Sequence, residues 1–210
     1  MKHALPLVAA LFLLGGCVDT TGISQSSTKL PRGNPDSSVV VTEYGDFQCP
    51  ACAVINETVT RPLTKKYANS VSFVFKQFPL LTIHQYSLPL AEASECAADQ
   101  GKFWGFVDMA YGEQLKMQQA NPPRTYQPSD TEAWAKALSL DTNLFDRCVR
   151  SGIKQKVVMD DFAEGRGLAV NGTPTFFVDG KQVTENSVDA LSAIIDAALK
   201  NAPAKAAPKL

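Results

Sequence analysis

The spacing of apolar positions changes period several times along the chain, and each change marks an element. Residues 38–44, rich in Val and Thr, read as a strand that runs into Gly45-Asp46-Phe47-Gln48 and then Cys49-Pro50-Ala51-Cys52. Cys52, Ile55, Val59, Leu63 and Tyr67 follow at helical spacing, with Pro50 in the first turn, where a missing N–H costs no hydrogen bond. Pro62 is expected to kink this helix, because a proline inside a helix removes a donor and clashes with the turn before it. Val71, Phe73 and Phe75 then alternate with polar neighbours, predicting a half-buried strand that stops near Phe78-Pro79.

Residues 84–169 are helical in pattern. Ser129 and Glu132 have capping-box spacing ahead of Trp134 and Leu138, and Leu144, Phe145, Cys148 and Val149 lead to Ser151-Gly152, a helix stop. Strand signals return in residues 175–178 and 181–183, joined by the turn pair Asp179-Gly180. A closing amphipathic helix is expected to carry Val188, Leu191, Ile194, Ile195 and Ala198 on one face. The order is strand, helix, strand, a block of helices, hairpin, helix. The outer pieces make a small mixed α/β sheet (38–83 and 170–199), and the helices of 84–169 read as an insertion.

The two ends differ from this. Lys2 and His3 precede an apolar run from Ala4 to Leu14 that is too short to span a bilayer, which predicts an export signal over residues 1–16. Leu14-Gly15-Gly16-Cys17 resembles the lipobox of bacterial lipoproteins. That resemblance implies cleavage before Cys17 and acyl chains on it that anchor the protein to a bilayer. An ordinary secretory signal with an incidental cysteine is the alternative, and both take the mature chain out of the cytosol. Residues 17–37 lack either period and read as a flexible tether, and residues 200–210 as a disordered tail.

Lys and Arg number 20 against 21 Asp and Glu, so the net charge of −1 gives no excess for a nucleic-acid groove. The hydrophobic share of 45% suits one domain, or one domain with an insertion. No coiled-coil heptad precedes the domain, so a monomer is expected.

The chemistry lies at Cys49 and Cys52. Two cysteines separated by two residues at a helix start bring their sulfurs within bridging reach, and the first faces unpaired N–H groups and the positive end of the helix dipole. Cys49 is therefore the expected nucleophile; thiols of this motif range from about 3.5 to 7 in pKa, against ~8.5 for a free thiol. Cys52, one turn in, is the expected resolving thiol. Exchange of this kind needs no metal or organic cofactor. Half of a zinc site is one alternative, disfavoured by only two histidines and no second closely spaced cysteine pair. A purely structural disulfide is the other.

With Glu43-Tyr44-Gly45-Asp46-Phe47-Gln48-Cys49-Pro50-Ala51-Cys52 and the distant Gly172-Thr173-Pro174-Thr175-Phe176-Phe177-Val178, the chain resembles the DsbA-like family of extracytoplasmic thiol–disulfide oxidoreductases. Phe78-Pro79-Leu80 and Gly101-Lys102-Phe103-Trp104 extend the likeness over about 39–199. It implies a thioredoxin fold with a helical domain inserted between the second and third strands. It also implies that Pro174 follows a cis peptide bond and faces the cysteines. Pro50, Ala51, Thr173 and Pro174 would line the substrate groove, with the Thr173 backbone free to pair with an extended polypeptide. Glu43 shares a strand face with Val39 and Val41, so its carboxylate is expected to point inward beneath the cysteines and take the proton of Cys52; a carboxylate exposed near the strand end is the alternative. His84 reads as a capping or surface residue. In an oxidising compartment Cys96 and Cys148 are expected to form a structural disulfide, the alternative being two buried thiols.

The leading functional expectation is an enzyme on the periplasmic face of a bacterial membrane. It would insert disulfides into exported cysteine-containing polypeptides and be recycled by a membrane redox partner. A reductase or isomerase is the alternative within this chemistry: Ala51 offers no side chain to stabilise a thiolate, and Thr173 before the proline resembles reductases as much as oxidases. A non-catalytic, membrane-anchored polypeptide-binding module is the alternative from another class, for which Cys49→Ser would leave cellular activity intact.

Overall fold

A computed structural model describes residues 18–202. The expected signal over 1–16, the lipidation site Cys17 and residues 203–210 of the expected tail lie outside the described residues. The elements, in chain order, are β1 (Arg32–Gly33), β2 (Val40–Gly45), α1 (Pro50–Ile55), a π-helical turn (Asn56–Thr60), α2 (Arg61–Lys66), β3 (Ser72–Gln77), α3 (Ser87–Ala98), α4 (Phe103–Gln119), α5 (Pro128–Ala137), α6 (Thr142–Ser151), α7 (Gln155–Gly167), β4 (Thr175–Val178), β5 (Lys181–Val183) and α8 (Val188–Asn201). The sheet order is β1-β3-β2-β4-β5. β2 and β3 run parallel, and the other pairs are antiparallel. This is a thioredoxin fold, with helices α3 to α7 inserted between β3 and β4.

β2 is the central strand, and both of its faces are covered. Val39, Val41, Phe73, Phe176 and Val178 pack with Val59 and Leu63 from the helical segment after the cysteines and with Leu191 and Ile195 of α8. On the other face Tyr44, Phe78, Val170 and Phe177 form a smaller cluster, joined by Phe162 of α7. A third and largest cluster joins the insertion to the site: Phe47, Cys49, Cys52 and Phe75 pack with Phe106 and Tyr111 of α4. The two cysteines therefore sit on the seam between sheet and inserted helices.

Several local expectations are corrected. Pro62 falls in the first turn of α2, and the irregularity comes just before it, in the π-helical turn. The extra residue of that turn resets the ladder ahead of a residue that cannot donate. The capping box of α5 uses Gln127 and Asp130 rather than Ser129 and Glu132. Pro128 sets the start, because its fixed φ and missing N–H suit the first helical position. Ile194 is 40% exposed; α8 buries Leu191, Ser192 and Ile195 instead. α8 also continues through Lys200 and Asn201, the first two residues of the expected tail.

The stretch expected as a tether is docked over 18–37. β1 pairs with β3, and Gly33 adopts φ +89° where a Cβ would lie 2.4 Å from the Val71 carbonyl oxygen. Lys29 Nζ lies 2.7 Å from Glu95 and 2.6 Å from Asp161, and Lys154, fully buried, pairs with Asp99 and donates to the Ser26 carbonyl. The Trp104 indole N–H donates to the Leu30 carbonyl, and the Arg32 guanidinium stacks on that ring. Local composition misses this because the partners are charged groups 66 to 132 residues away.

Candidate active site

The loop between β2 and α1 is built around Asp46. Its buried carboxylate accepts from the Gln48 N–H at 2.7 Å and the Leu80 N–H at 2.8 Å, and it faces His84 Nδ1 at 2.8 Å. The Cys49 N–H donates to the Asp46 carbonyl. Gln48 is held from both sides: its carbonyl accepts from Gln114 of α4, and its side chain accepts from the Tyr86 N–H. The turn before the cysteines is thus fixed by the loop over 78–86 and by the insertion. His84 is part of that clamp rather than a surface residue.

Cys49 is the N-cap of α1, with extended φ and ψ, and its sulfur accepts from the Cys52 N–H at 3.4 Å. Pro50 and Ala51 are exposed in the first turn. Both cysteines are free thiols. The Cys49 thiol is pulled down to about 6, first by its hydrogen bond with Cys52 and, against the cost of burial, by the nearby Thr173 side chain and by backbone amides of the first turn. Cys52 is pushed well above the ordinary thiol range by burial and by the neighbouring Cys49. One sulfur ionises at neutral pH and the other holds its proton, the division of labour that thiol–disulfide exchange requires.

Across the seam, the Thr173–Pro174 peptide is cis. The Cys49 thiol lies 3.3 Å from the Thr173 carbonyl oxygen, and Asn186 Nδ2 donates to the Pro174 carbonyl. The Thr173 hydroxyl has no hydrogen-bond partner in this arrangement, yet it stands close enough to both sulfurs to favour negative charge on them.

Glu43 is 4% exposed, in register with Phe75 and Phe176 on the flanking strands. Thr60, from the π-helical turn, donates to Oε2 at 2.9 Å. Burial raises this carboxyl to about 7, against smaller lowering by Thr60 and Arg32. Cys96 of α3 and Cys148 of α6 are joined by a disulfide inside the insertion. Among the described residues there is no group of three or more His, Cys, Asp or Glu placed to hold a metal, and no helix long and apolar enough to cross a membrane.

The structure brings Cys49, Cys52, Glu43, Pro50, Ala51, Thr173 and Pro174 to one end of the sheet, with the Cys96–Cys148 bridge apart from them in the insertion. Sequence reasoning missed Thr60, Tyr111 and Gln114. The first is one of several threonines in its helix, and the others lie in helices whose packing on the cysteines no local pattern announces. Asp46 stood in the motif already quoted, but its role as a clamp depends on residues 34 and 38 positions later.

These relationships define a class, proteins of thioredoxin fold in which a helix N-terminus presents a dithiol to a cis-proline. The chain belongs to the thioredoxin family, its residues 25–197 matching the family model described as Thioredoxin. It is similar to BdbD from Bacillus subtilis, solved in its oxidised form, at 22% identity over 82% of this chain and 94% of that one, with a TM-score of 0.72. A thioredoxin-like oxidoreductase from Silicibacter pomeroyi aligns at 23% identity over 88% and 99%, with a TM-score of 0.69. Among curated proteins, an Na(+)/H(+) antiporter NhaA from Salinispora tropica is 35% identical over 81% of this chain. The chain spans only 25% of that antiporter's length. A probable disulfide bond formation protein D from Bacillus anthracis is 29% identical over 83% of this chain and 80% of its own length.

Proposed function

We propose that the chain is an extracytoplasmic thiol–disulfide oxidoreductase, held to a bacterial membrane through acylated Cys17, that exchanges a Cys49–Cys52 disulfide with cysteines of exported polypeptides. The observation that carries this is the opposed behaviour of the two thiols, Cys49 drawn down to about 6 and Cys52 pushed up, at a helix start facing Pro174.

In the oxidising direction a substrate thiolate attacks Cys49 Sγ of the enzyme disulfide, and the Cys49–Cys52 bond breaks. Cys52 leaves as a thiolate and, with its high pKa, takes up a proton; Glu43, close to half-protonated near neutral pH, is the donor. A second substrate thiolate then attacks the substrate sulfur of the mixed disulfide and expels Cys49 as a stabilised thiolate. Two electrons have passed to the enzyme, and a membrane redox partner removes them. Exposed Leu81, Ile83 and Leu168 on loops leading into the site offer apolar contact to an unfolded polypeptide.

Net oxidation is the leading direction. Ala51 favours a couple less oxidising than the about −120 mV of the strongest oxidants, which keeps reductase or isomerase work as the second reading. Trapping with Cys52→Ser tests the proposal: mixed disulfides with exported proteins support it, and recovery of only a membrane electron donor favours reduction. Loss of no function in Cys49→Ser cells overturns the enzymatic reading. Mass spectrometry of the membrane fraction for an acylated Cys17 tests the anchor.

A further inference from the structure

Beneath the cysteines two buried polar atoms have no hydrogen-bond partner among the described residues: Glu43 Oε1 and the Tyr111 hydroxyl. They come from different parts of the fold, β2 and α4, and both side chains are inaccessible to solvent, at 4% and 1% exposure. Gly45 explains how they are brought together. Residues two apart on a strand point to the same face, so the missing side chain of Gly45 lies beside that of Glu43. A Cβ at Gly45 would lie 2.8 Å from the Tyr111 hydroxyl and 2.6 Å from the Phe75 ring. The hydroxyl therefore stands over the strand position next to Glu43, on the carboxyl's own face. Phe75, opposite Glu43 on β3, supplies a ring there and no cation. The Tyr111 ring is fixed by packing on Phe47, with centroids 5.3 Å apart.

We propose that Tyr111 is a positioning residue for the proton step, its hydroxyl donating through one enclosed water to Glu43 Oε1. Thr60 holds Oε2, so the carboxyl is gripped at both oxygens. An enclosed water needs at least two polar partners, and the Glu43 carboxyl and the Tyr111 phenol provide them. The inference rests on the proton role given to Glu43. The charged and titratable groups bearing on this carboxyl and phenol are Arg32 of β1, Asp46 of the loop and the two cysteines of α1. Burial and these negative neighbours push Tyr111 far above its ordinary range, so it remains a donor at every working pH.

The test follows the Tyr111 Cζ and Glu43 Cδ carbon resonances against pH in the reduced, full-length protein. The Tyr111 signal is expected to step with the Glu43 titration, and Glu43→Gln to erase that step. Tyr111→Phe, which keeps the ring, is expected to raise the Glu43 midpoint by about one pH unit, a tenfold change in proton affinity, because a donor to the carboxylate is lost. A Tyr111 signal flat through the Glu43 titration, or an unmoved Glu43 midpoint in Tyr111→Phe, overturns the proposal; a packing role alone would lower the melting temperature and leave both titrations in place. The role of Glu43 is read separately: if Glu43→Gln leaves the pH profile of Cys52 alkylation unchanged, that role falls, whatever the two carbon signals do.

Discussion

The Cys49 sulfur lies 3.3 Å from the carbonyl oxygen of Thr173, a residue 124 positions further along the chain. As a thiol Cys49 donates to that oxygen. As a thiolate it has nothing to donate, and the contact turns repulsive, so ionisation of the nucleophile releases the Thr173 carbonyl. That carbonyl is the group expected to pair with a substrate backbone N–H.

Cys49 alkylation should rise with pH through a midpoint near 6, with Cys52 unreactive over the same range. The Thr173 hydroxyl favours the thiolate, so Thr173→Val should move the midpoint upward. The ultraviolet absorbance of the thiolate against pH checks both statements, and an unmoved midpoint in the valine variant removes Thr173 from the activation of Cys49.

Glu43 should make stability depend on pH in a defined direction. Its folded pKa, raised from 4.5 to about 7, means that the folded state binds the proton more tightly than the unfolded chain. Stability is therefore lost as pH rises between these values, and the loss is complete above them. Glu43→Gln removes the penalty, so the variant should gain on the parent across that window, up to a ceiling of about 3 kcal/mol. Urea unfolding of the reduced proteins at about pH 5 and about pH 8 measures it. The opposite slope from Cys49 is common to both proteins and cancels.

Removing the Cys96–Cys148 bridge should destabilise the fold without abolishing exchange. The bridge closes a 52-residue separation, which corresponds to about 4 kcal/mol in the chain-entropy account. A paired Cys96→Ala and Cys148→Ala variant should melt earlier, and exchange at Cys49 should persist below the new melting temperature.

Lys29→Met should cost about 3 kcal/mol, because it strips a cation from Glu95, whose side chain is fully buried. Lys76 still pairs with Asp161, and Gln77 still donates to Glu95, so the loss belongs at the low end for a broken buried pair. Equilibrium unfolding checks it. A variant as stable as the parent would mean that the Lys29 ion pairs add nothing to the fold.

The pattern of residues alone determined the strand-helix-strand frame, the hairpin after Pro174 and the helical character of 84–169. Each depends on local periodicity, or on turn residues such as Asp179-Gly180. It also singled out Cys49 and Cys52, since a closely spaced pair at a helix start carries its chemistry in its spacing. Tertiary structure alone decided how residues 18–37 run, because Lys29 and Lys154 find their partners across the fold and not along the chain. It likewise decided that Asp46 clamps to Leu80 and His84, and that Tyr111 stands over Gly45. Long-range contacts of single polar atoms leave no period in a sequence: their energy depends on burial and direction, which exist only once the sheet and the inserted helices have closed on one another.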